Sequence, residues 1–347
     1  LEFRRVLFRS YMNNFKKIGL TALAGSLVMT SVNAVEYTMS GNAKVEWATQ
    51  DGSAGIADTN YGKGLGVNTD LTLSASGELD NGYTIGFVQV LDTNGALSNT
   101  SSQVTLGMGS LGTVQVNNKF GSKANGIDDV MPAAYNETWD GLAMTTDNGS
   151  FFGSSTANGS IDYRIPAQEL MGVTINASYT HDNAADVGPA AAGGITTSSV
   201  SGSALTLELA HESGLSIGGG QETIDNGGTL GGDEEAVTVY AKFAAGPLTV
   251  GMQESYQDTQ NGGQDFESTA FGVAYTAGDF SISYGESTYA NKGSGVTAVV
   301  ESELDSIQAA YTMGAMTISG AVSETANANR TAGETYEENR LSVAFAF

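Results

Sequence analysis

From Val35 to the last residue, apolar and polar positions alternate along one extended segment after another. Val35, Tyr37, Met39, Gly41, Ala43, Val45 and Trp47 fall on one side of the first segment, and Glu36, Thr38, Ser40, Asn42, Lys44 and Glu46 on the other. Successive side chains of a strand point to opposite faces, so this period of two predicts a strand with one apolar and one polar face. The next segment carries Val67, Thr69, Leu71, Leu73, Ala75 and Leu79 and runs into Asp80-Asn81-Gly82. Asn-Gly takes the positive φ angles of a tight hairpin turn, so the chain reverses there. The pattern recurs, for example in Ile161/Tyr163/Ile165, Leu205/Leu207/Leu209, Val237/Val239/Ala241/Phe243 and Leu341/Val343/Phe345/Phe347, to give sixteen segments in all.

The connections alternate in length. Short turns fall near Asp80–Gly82, Gly109–Gly112, Pro166–Glu169, Ser213–Gly214, Ala244–Pro247, Ala277–Asp279 and Met313–Ala315, with long Gly-, Asn-, Ser- and Asp-rich loops between them, the longest over 119–159. An even strand number, short turns at one end and long loops at the other predict an all-β fold: a 16-stranded antiparallel transmembrane β-barrel with short periplasmic turns and long extracellular loops. A soluble β-sandwich also alternates, but it needs an apolar face shielded by a second sheet. Here Tyr37 and Trp47 bracket an apolar stretch of about ten residues, long enough at a tilt of ~40° to cross an apolar band of roughly 25 Å. Tyr83, Tyr179, Tyr275, Phe280, Tyr311 and Phe347 lie near other strand ends and would complete aromatic girdles.

The first 34 residues break the pattern. Residues 1–11 precede Met12 and read as a non-native upstream segment. Met12-Asn13-Asn14-Phe15-Lys16-Lys17 is a short basic stretch, Ile18–Val32 is mostly apolar, and Val32-Asn33-Ala34 is a small-residue cleavage site. That order is the layout of a secretory signal peptide over 12–34, too short in its apolar part to span a bilayer. The barrel then occupies 35–347.

Composition narrows the chemistry. The chain has 38 Asp and Glu against 14 Lys and Arg, a net charge of −24, with 46 Gly, 4 Pro, 2 His and no Cys. Without the first 34 residues, nine basic and 37 acidic residues remain, a net charge of −28. Such acidity argues against nucleic acid as a partner, because binding needs cations to displace phosphate counterions. The lack of cysteine removes disulfides, thiol nucleophiles, zinc fingers and iron–sulfur clusters. A signal peptide without cysteine suits a Gram-negative periplasm or outer membrane.

With these features the chain resembles the Gram-negative general (diffusion) porins, of the 16-stranded type found in alphaproteobacteria, over essentially all of 35–347. Three pieces carry the likeness. The hairpin Val104–Val116 resembles the family's fourth-to-fifth-strand hairpin; the longest loop follows the fifth strand; and the chain ends on Phe347 after alternating Leu341, Val343 and Phe345. The resemblance implies an inward-folded third loop, passive diffusion of small hydrophilic solutes and ions, a homotrimer and no cofactor. It also implies outer-membrane lipid and lipopolysaccharide as surroundings, and Phe347 as the signal read by the outer-membrane assembly machinery.

If the apolar face meets lipid, the other face lines water. Parity assigns Lys44, Asp70, Asp162, Arg164, Lys242 and Arg340 to the pore wall. By resemblance the 119–159 loop folds inward and brings Asp128, Asp129, Glu137, Asp140 and Asp147 to the constriction, opposite those cations, with Lys119 and Lys123 at its start. The family clusters arginines opposite the loop acids. This chain offers only Arg164, Arg330 and Arg340 beyond its signal peptide. A net negative pore and a preference for cations follow, since charged rings concentrate counterions. Asp128 and Asp129, and further out Asp225, Asp233–Glu235, Glu334, Glu337 and Glu338, are oxygen ligands of the kind Ca²⁺ accepts.

Other motifs lead nowhere. Gly107-Met108-Gly109-Ser110-Leu111-Gly112 fits G-x-G-x-x-G but runs into a strand, where a nucleotide site needs a helix. His211 and Ser213 suggest an outer-membrane lipase only if a third polar group orients the histidine. The chain therefore reads as no enzyme. The alternatives to an open porin are an adhesin or structural barrel with a plugged lumen, or a solute-specific channel.

Overall fold

The computed structural model describes residues 36–53, 62–92, 98–119, 121–138, 152–153, 159–182, 201–225, 232–260, 265–293 and 299–347. Residues 1–34, where a signal peptide and an upstream segment are expected, lie outside them. The strands are β1 (Glu36–Gly52), β2 (Gly62–Glu78), β3 (Thr84–Asp92), β4 (Ser98–Gly107) and β5 (Thr113–Lys119). β6 comes in two pieces, Ser160–Arg164 and Gln168–Leu170, followed by β7 (Val173–Asp182), β8 (Ser201–His211) and β9 (Leu215–Asp225). Then come β10 (Glu234–Ala245), β11 (Leu248–Asp258), β12 (Phe266–Ala277), β13 (Phe280–Asn291), β14 (Glu301–Met313), β15 (Met316–Ala326) and β16 (Thr335–Ala346). Each strand pairs antiparallel with its neighbours in sequence, and β1 also pairs with β16, from Asn42↔Ala346 to Gly52↔Tyr336. The sheet is thus a closed barrel of sixteen strands, as the period-two count predicts.

Closure is tied off by the final residue. Gly41 donates its N–H to the Phe347 carbonyl at 2.7 Å, and Phe347 returns one to the Gly41 carbonyl at 2.9 Å. The Phe347 ring fills the space where a Gly41 Cβ would stand. β1 pairs with β2 from Glu36 but meets β16 only from Asn42, an offset of the kind a tilted, staggered barrel requires.

The faces follow the predicted parity. Tyr37, Val67, Ile161, Leu207, Val239, Ile282, Ile307 and Leu341 are exposed on the outside, while Ser178, Thr206, Thr238, Gln253, Ser283 and Gln308 are buried on the inside. Two details differ from the sequence reading. The turn expected at Pro166–Glu169 sits later, at Met171 and Gly172, both with positive φ. Pro166 lacks an N–H, so it bulges β6 without ending it, and both pieces of that strand pair with β7.

The outer face is also less uniformly apolar than its sequence pattern suggests. Asp51, Glu337, Glu324, Asp305 and Glu286 stand directly opposite one another on β1, β16, β15, β14 and β13. They share the outward face with Trp47, Leu341, Val322, Ile307 and Ile282, nearer the long loops. The Tyr284 hydroxyl donates to Glu286 at 3.2 Å and also to Asp305. Carboxylates are expensive in hydrocarbon, so this row sets the upper limit of lipid contact on those strands.

The two faces make a graded prediction. Leu207, 49% exposed in mid-strand β8, replaced by Arg, should cost about 2–4 kcal/mol in urea titrations of the barrel folded into lipid vesicles. Ser203→Arg, on the same face but about 10 Å nearer the loop end, should cost only about 0–1 kcal/mol. Equal costs would mean that this face does not meet lipid.

Candidate pore and its inward loop

The loop after β5 begins on a set of hydrogen bonds fixed by buried polar side chains. Gln115 on β5 donates to the Gly121 carbonyl at 2.7 Å and to the Asn117 carboxamide, and Asn117 donates to Ser160 at 3.2 Å. Asp162 is the centre of this anchor. Its carboxylate accepts the Lys123 N–H (3.2 Å), the Thr180 hydroxyl (2.9 Å) and Arg164 Nε (2.6 Å), and it is fully buried. Arg164 also donates to the Gly121 carbonyl at 3.1 Å. Asp162 and Arg164 therefore sit on the inner face, as parity places them, but they neutralise each other and hold the origin of the loop.

Beyond the anchor the chain makes one 3₁₀ turn, Asn125–Ile127. Ala124, Ile127 and Phe152 pack there against Ala204, Ala236 and Tyr240 of the inner wall. Gly153, on the returning limb, donates its N–H to Glu222 at 2.7 Å. The loop then follows the wall strand by strand. Val130 N–H donates to Gln253 Oε1 on β11 (3.1 Å), while Gln253 Nε2 donates to the carbonyls of Ile127 (2.9 Å) and Asp128 (3.1 Å). Ala134 N–H donates to Ser283 Oγ on β13 (2.8 Å). The N–H groups of Tyr135 and Asn136 both donate to Gln308 Oε1 on β14, each at 3.0 Å. Finally the Tyr135 hydroxyl reaches β1 and donates to Glu46.

Glu46 is itself a meeting point. Lys44 lies 3.1 Å from it and Arg340 3.4 Å, and Arg340 also binds Glu338 through Nε. Glu338 accepts further bonds from Gln50 (2.7 Å) and Tyr336 (3.0 Å). On the far side Lys123 pairs with Glu208 at 3.2 Å, and Glu208 accepts the Tyr240 hydroxyl at 2.9 Å. Lys242 lies over the Tyr240 ring, close enough to Glu208 and Asp129 to feel both charges. Asp70 accepts from Asn42 at 3.2 Å. Lys44, Arg164 and Arg340 thus have wall carboxylates beside them, and Lys242 has one wall and one loop carboxylate near it.

The loop acids divide. Asp128 Oδ1 accepts the Asp129 N–H at 2.8 Å, and Asp129 Oδ1 accepts the Met131 N–H at 2.7 Å, so both carboxylates shape the loop. Glu137 is half-buried beside Thr138. Asp140 and Asp147 lie outside the described residues. Among the described residues no group of three or more acidic or histidine side chains is arranged to hold a metal ion. His211 Nδ1 takes the Ser213 N–H at 3.1 Å and faces Ser213 Oγ at 2.8 Å, closing the turn after β8.

The sequence reading left out several residues that organise this site, Glu208, Glu222, Tyr135, Gln253, Ser283 and Gln308, and it placed Glu46 only on the polar face of the first strand and Glu338 only among oxygen ligands for Ca²⁺. Parity alone puts Glu46, Glu208, Gln253, Ser283 and Gln308 on the inner face. Which partner each takes depends on register and on the loop's path.

Tyr135 gives a titration that can be checked. Burial, then its hydrogen bond to Glu46, pushes its phenol up to about 12. A folded-state value raised above the unfolded one means that its contribution is complete below about pH 10 and is lost as pH rises through about 12. Subtracting the tyrosinate absorbance of the folded Tyr135→Phe barrel from that of the native one should isolate a single late titration near pH 12. A difference curve centred near pH 10 would mean that Tyr135 is not held against Glu46.

The Gram-negative porin family model matches residues 19–299 of the chain. No curated protein matches it. Among solved structures it is similar to the outer membrane protein OmpT of Vibrio cholerae in a trimer form, 11% identical with TM-score 0.61, over 90% of this chain and 100% of that one. An anion-selective porin from Comamonas acidovorans is 15% identical, TM-score 0.60, over 90% of this chain and 100% of the other. A mutant of Rh. blastica porin is 16% identical, TM-score 0.54, with the same coverage. These identities carry the fold alone, but with the family match over most of the chain they agree with the closed barrel and its apolar outer face: the chain belongs to the Gram-negative porins and is an integral outer-membrane protein.

Proposed function

We propose that this porin is a trimeric general diffusion channel that passes small hydrophilic solutes and ions, cations ahead of anions. The observation that carries the reading is the path of the inward loop. Its described residues lie against the wall from β6 to β14, with the Tyr135 hydroxyl reaching on to β1, which supports a narrowed lumen in preference to a plugged one. A 16-stranded barrel is wide enough to keep an aqueous path beside such a loop.

The cation preference rests on how few positive charges the chain has and where they sit. Nine basic residues face 37 acidic ones once residues 1–34 are set aside. Lys44, Lys123, Arg164 and Arg340 each lie within an ion pair with a wall carboxylate. That leaves the transverse field between loop acids and wall cations weak and the lumen negative, so cations are concentrated there. The Comamonas acidovorans porin is anion-selective, and the acid excess argues that this chain differs from it. The trimer is carried over from the resemblance and from the trimer form of the Vibrio cholerae protein. We take residues 12–34 to be a signal peptide removed on export, and Phe347 to be the assembly signal.

Two recordings test this in planar bilayers with a KCl gradient, using refolded 35–347. The native channel should open in steps of three with a reversal potential favouring potassium; a chloride-favouring potential would overturn the account of the lumen. Asp128→Asn/Asp129→Asn should lower the potassium-to-chloride permeability ratio. The loss should shrink as salt rises from 0.1 to 1 M, because the screening length falls from about 10 to about 3 Å.

A further inference from the structure

From Met131 to Thr138 the inward loop lies closer to the wall than ordinary side chains on that wall would permit. Gly251 on β11 is paired directly with Gly272 on β12, and Gly272 with Gly285 on β13. Loop atoms stand where a Cβ on any of the three would need room. A Cβ on Gly272 would stand 2.9 Å from Pro132 Cδ and 3.1 Å from the Pro132 carbonyl oxygen. On Gly251 it would stand 3.1 Å from the same Cδ and 3.3 Å from Met131 Cε, and on Gly285 only 2.2 Å from Thr138 Oγ1. Carbon contacts settle at about 3.5–4.0 Å, so any of the three methyls would lift the loop or force its side chains aside.

Around this line of glycines stand the wall groups that hold the loop backbone. Gln253 is two residues along from Gly251, and Ser283 two residues before Gly285. Gln308 on β14 pairs directly with Ser283. Together they accept the N–H groups of Val130, Ala134, Tyr135 and Asn136. Glycine inside a strand weakens it and marks places where another backbone comes close. Three in register, bordered by side chains that bond the approaching backbone, make a shaped recess with its occupant in place.

We propose that Gly251, Gly272 and Gly285, with Gln253, Ser283 and Gln308, form a seat that fixes how far the loop stands off the wall and so sets the free cross-section of the pore. This rests on the reading of that loop as the constriction. The glycines are positioning residues: they touch no solute, and they act by letting the loop lie flush.

The test uses barrels refolded in bilayers, with heat-modifiable electrophoretic mobility confirming the fold. Gly285→Ala should reduce single-channel conductance by some tens of per cent, since the 2.2 Å approach to Thr138 Oγ1 must open to about 3.5 Å. Thr138→Ala in the same chain removes the clashing hydroxyl and should return conductance to the native value. Unchanged conductance in folded Gly285→Ala, or a reduction that Thr138→Ala does not reverse, would overturn the seat. A second pair tests seating without relying on conductance. A Cβ on Gly272 falls 3.2 Å from Met131 Cβ, a few tenths short of the usual disulfide separation of about 3.5–4.5 Å. The native chain has no cysteine, so Met131→Cys/Gly272→Cys should crosslink on mild oxidation. No crosslink would show that the loop does not rest there. A native barrel that never conducts, beside a double-cysteine variant that crosslinks, would fail the porin reading and the bore claim while leaving the seated loop intact.

Discussion

A chain crossing hydrocarbon has no water to satisfy its backbone, so every strand of this protein must have a neighbour on both sides. That constraint is met by the pairing of β1 with β16 and by the two bonds between Gly41 and Phe347. The rest of the structure depends on that seam. Once the sheet is closed, each strand has one face committed to lipid and the other to an enclosed space. Because the closure is staggered, residues directly opposite one another on neighbouring strands form oblique rows around the barrel. Two such rows give the molecule its character. One is the outward line of carboxylates from Asp51 to Glu286, which ends lipid contact. The other is the inward line Gly251, Gly272 and Gly285, which admits the loop.

Closure also decides how the inward loop can be held. A segment inside the barrel brings backbone N–H groups that would otherwise compete for confined water, and an unsatisfied buried one is costly. The wall answers with side chains that accept: Gln253, Ser283 and Gln308 take four loop N–H groups, and Glu222 takes that of Gly153. Asp162 does the same at the loop's origin, and its charge is balanced by Arg164. The inner wall thus acts as a hydrogen-bonding partner for the loop as well as a lining for water.

Much of this was legible in the sequence, and the limits have a physical form. Alternation reports faces, so sixteen strands, the outward Leu207 and Ile307 and the inward Lys44 and Arg340 could be read directly. Alternation does not report register, and register chooses partners. Nothing in the linear pattern says that Glu46 meets Arg340 across the seam, or that Asp51, Glu337, Glu324, Asp305 and Glu286 fall on one row. Pro166 was readable as a breaker, but only the pairing with β7 shows that the strand bulges and resumes. The loop acids were the natural candidates for a charged constriction. Asp128 and Asp129 also accept N–H groups of their own loop, and neutral Gln253 and Gln308, which carry no charge signal at all, do the holding.

That last contrast separates two properties that would otherwise be tied together. The backbone of Val130 to Asn136 is held on the wall by hydrogen bonds from N–H to amide and hydroxyl oxygens, backed by the fit of Pro132 and Thr138 to glycine and by the Tyr135 hydroxyl on Glu46. None of those groups titrates near neutral pH, and salt does not screen them. The cation preference proposed for the lumen would come from carboxylates facing water, whose field weakens as the screening length shortens. On the proposed reading the bore is set by groups indifferent to pH and ionic strength, and the selectivity by groups sensitive to both. With a few well-paired cations and an excess of acids, a channel of the proposed kind would let its charge preference follow the outside medium while the opening keeps its size. A constriction held over Val130 to Asn136 by ion pairs, as Lys123 is to Glu208 at the loop's start, would not permit this, because salt that relaxed the field would also loosen the loop.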